Sequence, residues 1–240
     1  MKALHGLFIL LGLLSVVLLA ISGPLYKSGT AELGTAFLLL RWAAYIGAAT
    51  FVFNIIWYFI RRPQVLVAGL SGLAIIAGGF AFYMPFSQYL KAQNVPAIHD
   101  ITTDTQNPPE FVAIAPLRAD APNPVEYAGE GTAKQQQEAY PELKTYQSLE
   151  SPNELFSAAL LAVDKMGWEL VESVEAEGRI EATATTTWFG FKDDVVIRIR
   201  ETADGSELDI RSKSRLGRSD VGKNAERIRE FMATLTSELR

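Results

Sequence analysis

His99, Asp100 and Asp104, with Thr102 and Thr103 between them, are the one cluster here whose types suit catalysis or metal binding. A histidine beside carboxylates can relay a proton or hold a divalent ion. A single histidine with no second ligand motif supports that weakly. The plainer reading is an extended strand whose Asp and Thr side chains bond nearby backbone. A second concentration of chemistry lies in Asp193 to Asn224, DDVVIRIRETADGSELDIRSKSRLGRSDVGKN, which reads as a β-hairpin running into a helix. Its arginines, with the free N–H groups of a helix start near Ser219 and Asp220, suit a phosphate or carboxylate. An Asp at that position competes, since as an N-cap it takes the N–H groups itself.

The elements that position these groups follow from periodicity. Asp204-Gly205 is a favoured pair for a two-residue turn. Centring the hairpin there puts Ile199 opposite Ile210, Arg200 opposite Asp209, and Arg198 opposite Arg211. A preceding turn at Phe189–Lys192 brings Glu181 beside Arg200 and Thr183 beside Arg198. Like charges directly opposite cost a few tenths to about 1 kcal/mol, so a bound anion at Arg198, Arg211, Arg215, Ser219 and Asn224 is one resolution. The alternative is a solvated basic face balanced by acids elsewhere. Trp188-Phe189-Gly190-Phe191 forms an aromatic tip; Trp188, Phe189 and Phe191 suit a partner or lipid contact, or burial beneath the Pro-rich segment.

Ser151-Pro152-Asn153-Glu154 starts a helix, with Ser151 and Glu154 as a capping box, and Gly167 ends it. Four strand-like runs follow, at 168–174, 179–187, 193–202 and 207–214, and then a last helix from about Val221 to Leu239. That order predicts an α+β domain, a four-stranded antiparallel sheet with helices packed on one face, over 151–240. Residues 91–150 are Pro-rich and are expected to be extended and to wrap the domain in part, with Asp120–Gln137 the most flexible stretch.

Residues 1–90 are of another kind. Three apolar runs, at about 4–22, 36–60 and 65–86, each reach the length of roughly 20 helical residues that a bilayer requires. Lys2 followed by an apolar run resembles a secretory signal, but the run exceeds a usual signal core, and a retained α-helical anchor of three transmembrane helices is expected. Arg61 and Arg62, between the second and third runs, place that turn in the cytoplasm, and Lys2 agrees. The C-terminal domain is then extracytoplasmic, periplasmic at a bacterial inner membrane. Lys27 and Lys91 dissent mildly.

Charge divides the same way. Residues 1–96 carry six Lys/Arg and one acid, leaving 16 basic and 26 acidic residues in the remainder. An acidic domain without a basic tail argues against nucleic acid as a partner. The expected partners are the lipid bilayer and an anionic small molecule or envelope protein. The sequence has no cysteine, which excludes thiol chemistry and Cys-ligated metal. It carries no phosphate-cradling glycine loop, HExxH or GxSxG, so no cofactor and no metal are expected.

VPAIHDITTDTxNPP, from Val95, and the later SxSRxGxSDxGxNxxRI resemble the family DUF1499, a domain of unknown function, over about residues 94–235. In the second motif the matching positions are Ser212, Ser214, Arg215, Gly217, Ser219, Asp220, Gly222, Asn224, Arg227 and Ile228. The resemblance implies an envelope or membrane-associated domain and brings no activity or assigned catalytic residue. The functional expectation is a membrane-anchored binding or scaffold module. The alternative is an envelope hydrolase or metal-dependent enzyme using His99 with Asp100 or Asp104.

Overall fold

A computed structural model describes residues 2–61 and 64–240, without the side chain of Lys2. Arg62 and Pro63, part of the turn on which the orientation argument rests, lie outside the described residues. The chain divides into two compact units. One holds the helices through Lys91 together with Thr187–Gly190, and the other holds Ala92–Thr186 and Phe191–Arg240.

The first unit is built from α1 (Lys2–Lys27), α2 (Leu33–Arg61) and α3 (Val65–Gln93). All three are long and apolar enough to cross a membrane. Their burial pattern inverts that of a water-soluble bundle. Small and polar residues lie inside, among them Ala43, Gly47, Thr50, Asn54, Ser71 and Gly78, while Leu10, Phe59, Leu66 and Ile76 face outward. Lipid makes large apolar side chains indifferent to burial, so helix contact depends on close backbone approach and on hydrogen bonds. Both are present. A Cβ on Gly47 would lie 2.6 Å from the Gly78 carbonyl oxygen, and one on Gly78 would lie 2.7 Å from that of Gly47. His5 Nε2 and Ser71 Oγ share a hydrogen bond of 2.9 Å, and Asn54 Nδ2 donates to the Phe8 carbonyl at 3.3 Å.

Thr187–Gly190 packs within this same unit. Trp188 Nε1 donates to the Ala20 carbonyl at 3.3 Å, and Lys27 Nζ donates to that of Thr187 at 3.1 Å. Phe189 is buried beside Tyr26 and Phe37. Phe191 belongs to the other unit.

The second unit is an antiparallel sheet with helices. Its strands are β1 (Asp100–Thr102), β2 (Tyr146–Ser148), β3 (Glu169–Val174), β4 (Arg179–Thr185), β5 (Lys192–Thr202) and β6 (Gly205–Ser214). They run in the order β1-β6-β5-β4-β3, and β2 also pairs with β6. The expected four strands are therefore six. β1 and β2 have three residues each, too few for an alternating pattern to show. Two helices, α5 (Pro152–Lys165) and α6 (Lys223–Glu238), share one core with Ile180, Val195, Ile197, Leu208 and Ile210 on a single sheet face. The predicted capping box is present: Ser151 Oγ accepts from Glu154 N, and Glu154 Oε2 accepts from Ser151 N at 3.0 Å.

The stretch expected to be most flexible, Asp120–Gln137, holds all but the last two residues of α4 (Glu130–Ala139). Its EGTAKQQQEA sequence is rich in helix formers but has no apolar stripe, and Gln136 is its buried residue. That side chain acts as a strand neighbour for β1, accepting from Thr102 N at 3.0 Å and donating to the Thr102 carbonyl at 2.6 Å.

Both predicted registers are corrected. The β5–β6 hairpin closes on Thr202 and Gly205, pairing Arg198 with Asp209, Arg200 with Glu207, and Ile197 with Ile210. A two-residue slip keeps every side chain on its predicted face, which is why the apolar phase did not reveal it. Gly205 is needed for clearance: a Cβ there would lie 2.3 Å from the Ser148 carbonyl oxygen, where β2 crosses. The β4–β5 pairing sets Arg179 opposite Arg198, Glu181 opposite Val196, and Thr183 opposite Asp194.

The Gly47–Gly78 contact yields a test. Gly78→Val should destabilise the helix unit by about 1–3 kcal/mol through overpacking, read as earlier melting of the detergent-solubilised chain. Gly69→Val, where a Cβ meets nothing within 4 Å, should leave the melting point unchanged.

Candidate functional site

The sheet face away from α5 and α6 is charged, and the segment from Thr103 to Tyr127 lies over it. Alternation along the strands fills it with Asp100, Arg179, Glu181, Asp194, Arg198, Asp209, Arg211 and Lys213. A smaller apolar cluster of Phe111, Ile114 and Val196 holds the covering segment down.

Ion pairs on this face are direct and largely buried. Arg211 forks onto Asp100, with Nε–Oδ1 and Nη2–Oδ2 both 2.9 Å, and Lys213 Nζ meets the same carboxylate at 2.9 Å. Asp100 is fully buried. Burial alone would push its carboxyl upward, but the hydrogen bonds and charges of Arg211 and Lys213 outweigh that and hold it below the ordinary carboxylate value. Lys213 has the poorer bargain: burial lowers its proton affinity, the charges of Arg211 and Arg118 add to this, and Asp100 alone opposes. Nearby, Arg118 Nη1 reaches Asp194 Oδ2 at 3.1 Å, and Arg215 forks onto Asp194 at 2.9 and 2.8 Å. These two clusters together set four cations against two carboxylates. Arg118 Nε and the Tyr127 hydroxyl are buried there without hydrogen-bond partners. Burial, with the Asp100 charge, pushes the Tyr127 phenol up to about 12.

The covering segment is itself bound by these ions. Glu181 accepts from three successive backbone N–H groups, Val112 at 2.9 Å, Ala113 at 3.1 Å and Ile114 at 2.8 Å. Such a run of N–H groups forms an anion nest, filled here by the chain's own carboxylate. Arg211 donates to the carbonyls of Pro109 and Val125, and Lys213 donates to that of Glu126.

The sequence candidates fall at separate places. His99 and Asp100 are consecutive on an extended segment and point to opposite faces. His99 Nδ1 shares a hydrogen bond of 3.4 Å with the Arg218 carbonyl. Asp104 accepts from the backbone N–H of Gln106 at 3.0 Å and of Asn107 at 2.9 Å, and receives Arg198 at 3.0 Å. These three do not converge, and among the described residues no group of three His, Asp or Glu could hold a metal ion.

Arg198, Arg211, Arg215, Ser219 and Asn224 do not form one site either. Arg198 meets Asp104 and Asp209, Arg211 meets Asp100, and Arg215 meets Asp194. The expected clash of Arg198 with Arg211 does not occur. Arg179 does face Arg198, but Glu172, Glu177 and Glu181 surround it at 2.8, 2.9 and 2.5 Å. Ser219 Oγ accepts from Val221 N at 3.1 Å. Gly222 is the N-cap of α6; Asp220, just before it, accepts from Gly222 N at 2.8 Å and Asn224 N at 2.7 Å, and burial raises its carboxyl despite those bonds. Asn224 bonds Ser212, Ser214 and the His99 carbonyl at 2.7, 3.0 and 3.0 Å, while Arg227 reaches Asp193 at 2.6 Å. The SxSRxGxSDxGxNxxRI spacing thus builds the β6–α6 connection, with Gly217 and Gly222 at φ of 95° and 78°.

One end of this domain exposes cations. Lys192 and Arg218 are exposed, and Arg215 is partly so, its backbone N–H donating to the Lys192 carbonyl at 3.0 Å. Arg215 Nη1 donates to the carbonyl of Leu117, a residue itself 57% exposed. Lys192 and Arg118 were missed as site residues by sequence reasoning. Arg118 lay in the stretch expected to be irregular, and nothing local signals its return to the sheet.

Removing the shared carboxylate is the direct test of the buried cluster. Asp100→Asn should cost about 3–5 kcal/mol near neutral pH by stranding Arg211 and Lys213. Because the folded-state value of Asp100 is depressed, its contribution is present above the unfolded value of about 3.9 and is lost as pH falls through the folded one. The gap between wild type and Asp100→Asn in denaturant melts should therefore close as pH drops below about 4.

No curated protein matches the chain. A family model described as "Protein of unknown function (DUF1499)" matches residues 100–235, from the first residue of β1 to the last turns of α6. With more than half of its length so matched, and both motifs located in the charged sheet face and its exit into α6, the chain belongs to the DUF1499 family.

Proposed function

We propose that this chain is a membrane-anchored binding module whose sheet domain lies outside the cytoplasm and holds an anionic partner at its Lys192–Arg215–Arg218 end. The observation that carries the binding role is the local charge imbalance. Four cations share two carboxylates around Asp100 and Asp194, in a domain that is acidic as a whole. An external carboxylate or phosphate near Arg215 would complete that balance, and two exposed neighbours without carboxylate partners among the described residues extend it outward. The anchor role draws on the three long apolar helices and their outward-facing large side chains. The orientation draws on Arg61 and Arg62 between the second and third helices, with three crossings separating the N-terminus from the domain.

Two measurements test this. A carboxyl-terminal reporter active only outside the cytoplasm should be active; activity from a cytosol-specific reporter instead would overturn the orientation. Sodium phosphate, at ionic strength matched with chloride, should raise the melting temperature of the full chain in non-ionic detergent by about 3–6 °C. Lys192→Gln with Arg218→Gln should remove most of that rise. No phosphate-specific shift, or a shift the variants retain in full, would reject the site.

A further inference from the structure

A cleft of about 290 Å³ opens on the charged sheet face, where the start of the covering segment passes Arg179 of β4 and Arg198 of β5. That is the low end for ligand clefts, which run from about 300 Å³ upward, and leaves room for a molecule of amino-acid size. The two arginines face each other across the strand pair but are spent unequally. Arg179 has a glutamate on each nitrogen: Glu177 on Nε, Glu181 on Nη1 and Glu172 on Nη2. Arg198 makes all its bonds from Nη2, to Asp104, Asp209 and the Asn107 carbonyl. Its Nε has no partner, and its Nη1 bonds none of the described residues. Other lining groups are also uncommitted. The Asn107 backbone is tied at both ends, its N–H to Asp104 and its carbonyl to Arg198, while its carboxamide bonds none of the described residues. Glu110 is exposed and has no cation partner among them. Val112 is an exposed apolar residue beside Pro108, Pro109 and the buried Val196.

The charges decide what fits. Arg198 is already matched by Asp104 and Asp209, and Arg179 is outnumbered by its glutamates, so a bare anion meets more carboxylate than guanidinium. A bare cation suits Glu110 but leaves the free donors of Arg198 and Asn107 unused. A molecule carrying both charges a few bonds apart answers both. We infer that this cleft binds the zwitterion of a small α-amino acid with an apolar side chain. Its carboxylate accepts from Arg198 Nη1 and the Asn107 carboxamide, and its ammonium donates to Glu110. The side chain lies against Val112 and the two prolines. This site shares no residue with the Lys192–Arg215–Arg218 end and does not depend on it.

Titration calorimetry of the full chain in non-ionic detergent, with L-valine as the probe, should give saturable binding at one site. L-Valinamide lacks the carboxylate and isovalerate lacks the ammonium, and each should bind at least about tenfold more weakly. Glu110→Gln and Asn107→Ala remove side chains that bond no other described residue, so the ligand-free melting temperature should stay unchanged. Each should weaken valine binding about fivefold or more, and the two together should abolish it. Lys192→Gln with Arg218→Gln should bind valine as the wild type does. An absence of saturable heat, equal binding of either half-ligand, or full binding by the Glu110→Gln, Asn107→Ala pair would overturn the site. Loss of valine binding in the Lys192→Gln, Arg218→Gln pair would overturn it too, by moving the ligand elsewhere.

Discussion

A carboxylate withdrawn from water must be repaid by cations close enough to bond it, and Asp100 shows what that demands of a whole domain. Its neutralisation takes Arg211 and Lys213 from one strand, and their remaining donors must then be satisfied in turn. The carbonyls of Pro109, Val125 and Glu126 do this, which fixes the course of a segment with little regular structure of its own. Asp194 repeats the arrangement with Arg118 and Arg215, and Glu181 repeats it through backbone N–H groups. A hydrocarbon layer would have held the segment against the sheet in many alignments. Forked guanidinium contacts permit few, so the charges specify position more than they add stability.

Much of this was legible in the sequence, and the failures have physical causes. The long apolar helices, α5 and α6, the capping box, the four longer strands and the arginines' sharing of one sheet face follow from period and cap chemistry; that this face is buried beneath Thr103–Tyr127 does not. The partners of those arginines do not, because strand alternation is blind to a slip of two residues. Gly205 was read as a turn residue, whereas its missing side chain makes room for β2. β1, β2 and α4 escaped because their placement comes from tertiary contacts, a pair of ladder bonds or one buried glutamine, and not from a local pattern.

The candidate site divides similarly. The motif residues were correctly singled out as unusual, but unusual residues also build demanding turns. Ser212, Asn224 and Arg227 form one connected set beneath the start of α6, and Asp220 occupies the N–H groups that an anion would want. Of the exposed cations, Lys192 stands outside both motifs and Arg218 at an unmatched position inside the second, where spacing carries no signal. Only the fold shows that Lys192 is the strand neighbour of Arg215, whose N–H donates to its carbonyl.

An open strand edge invites runaway pairing between copies of a chain. Gln136 bears on that hazard. Its carboxamide occupies the outward N–H and C=O of Thr102, while β1 and β2 divide the flank of β6 between them. The opposite margin, β3, is interrupted by an irregularity between Leu170 and Glu172 and carries glutamates. The sheet therefore has no straight, vacant border along which one copy could zip to the next.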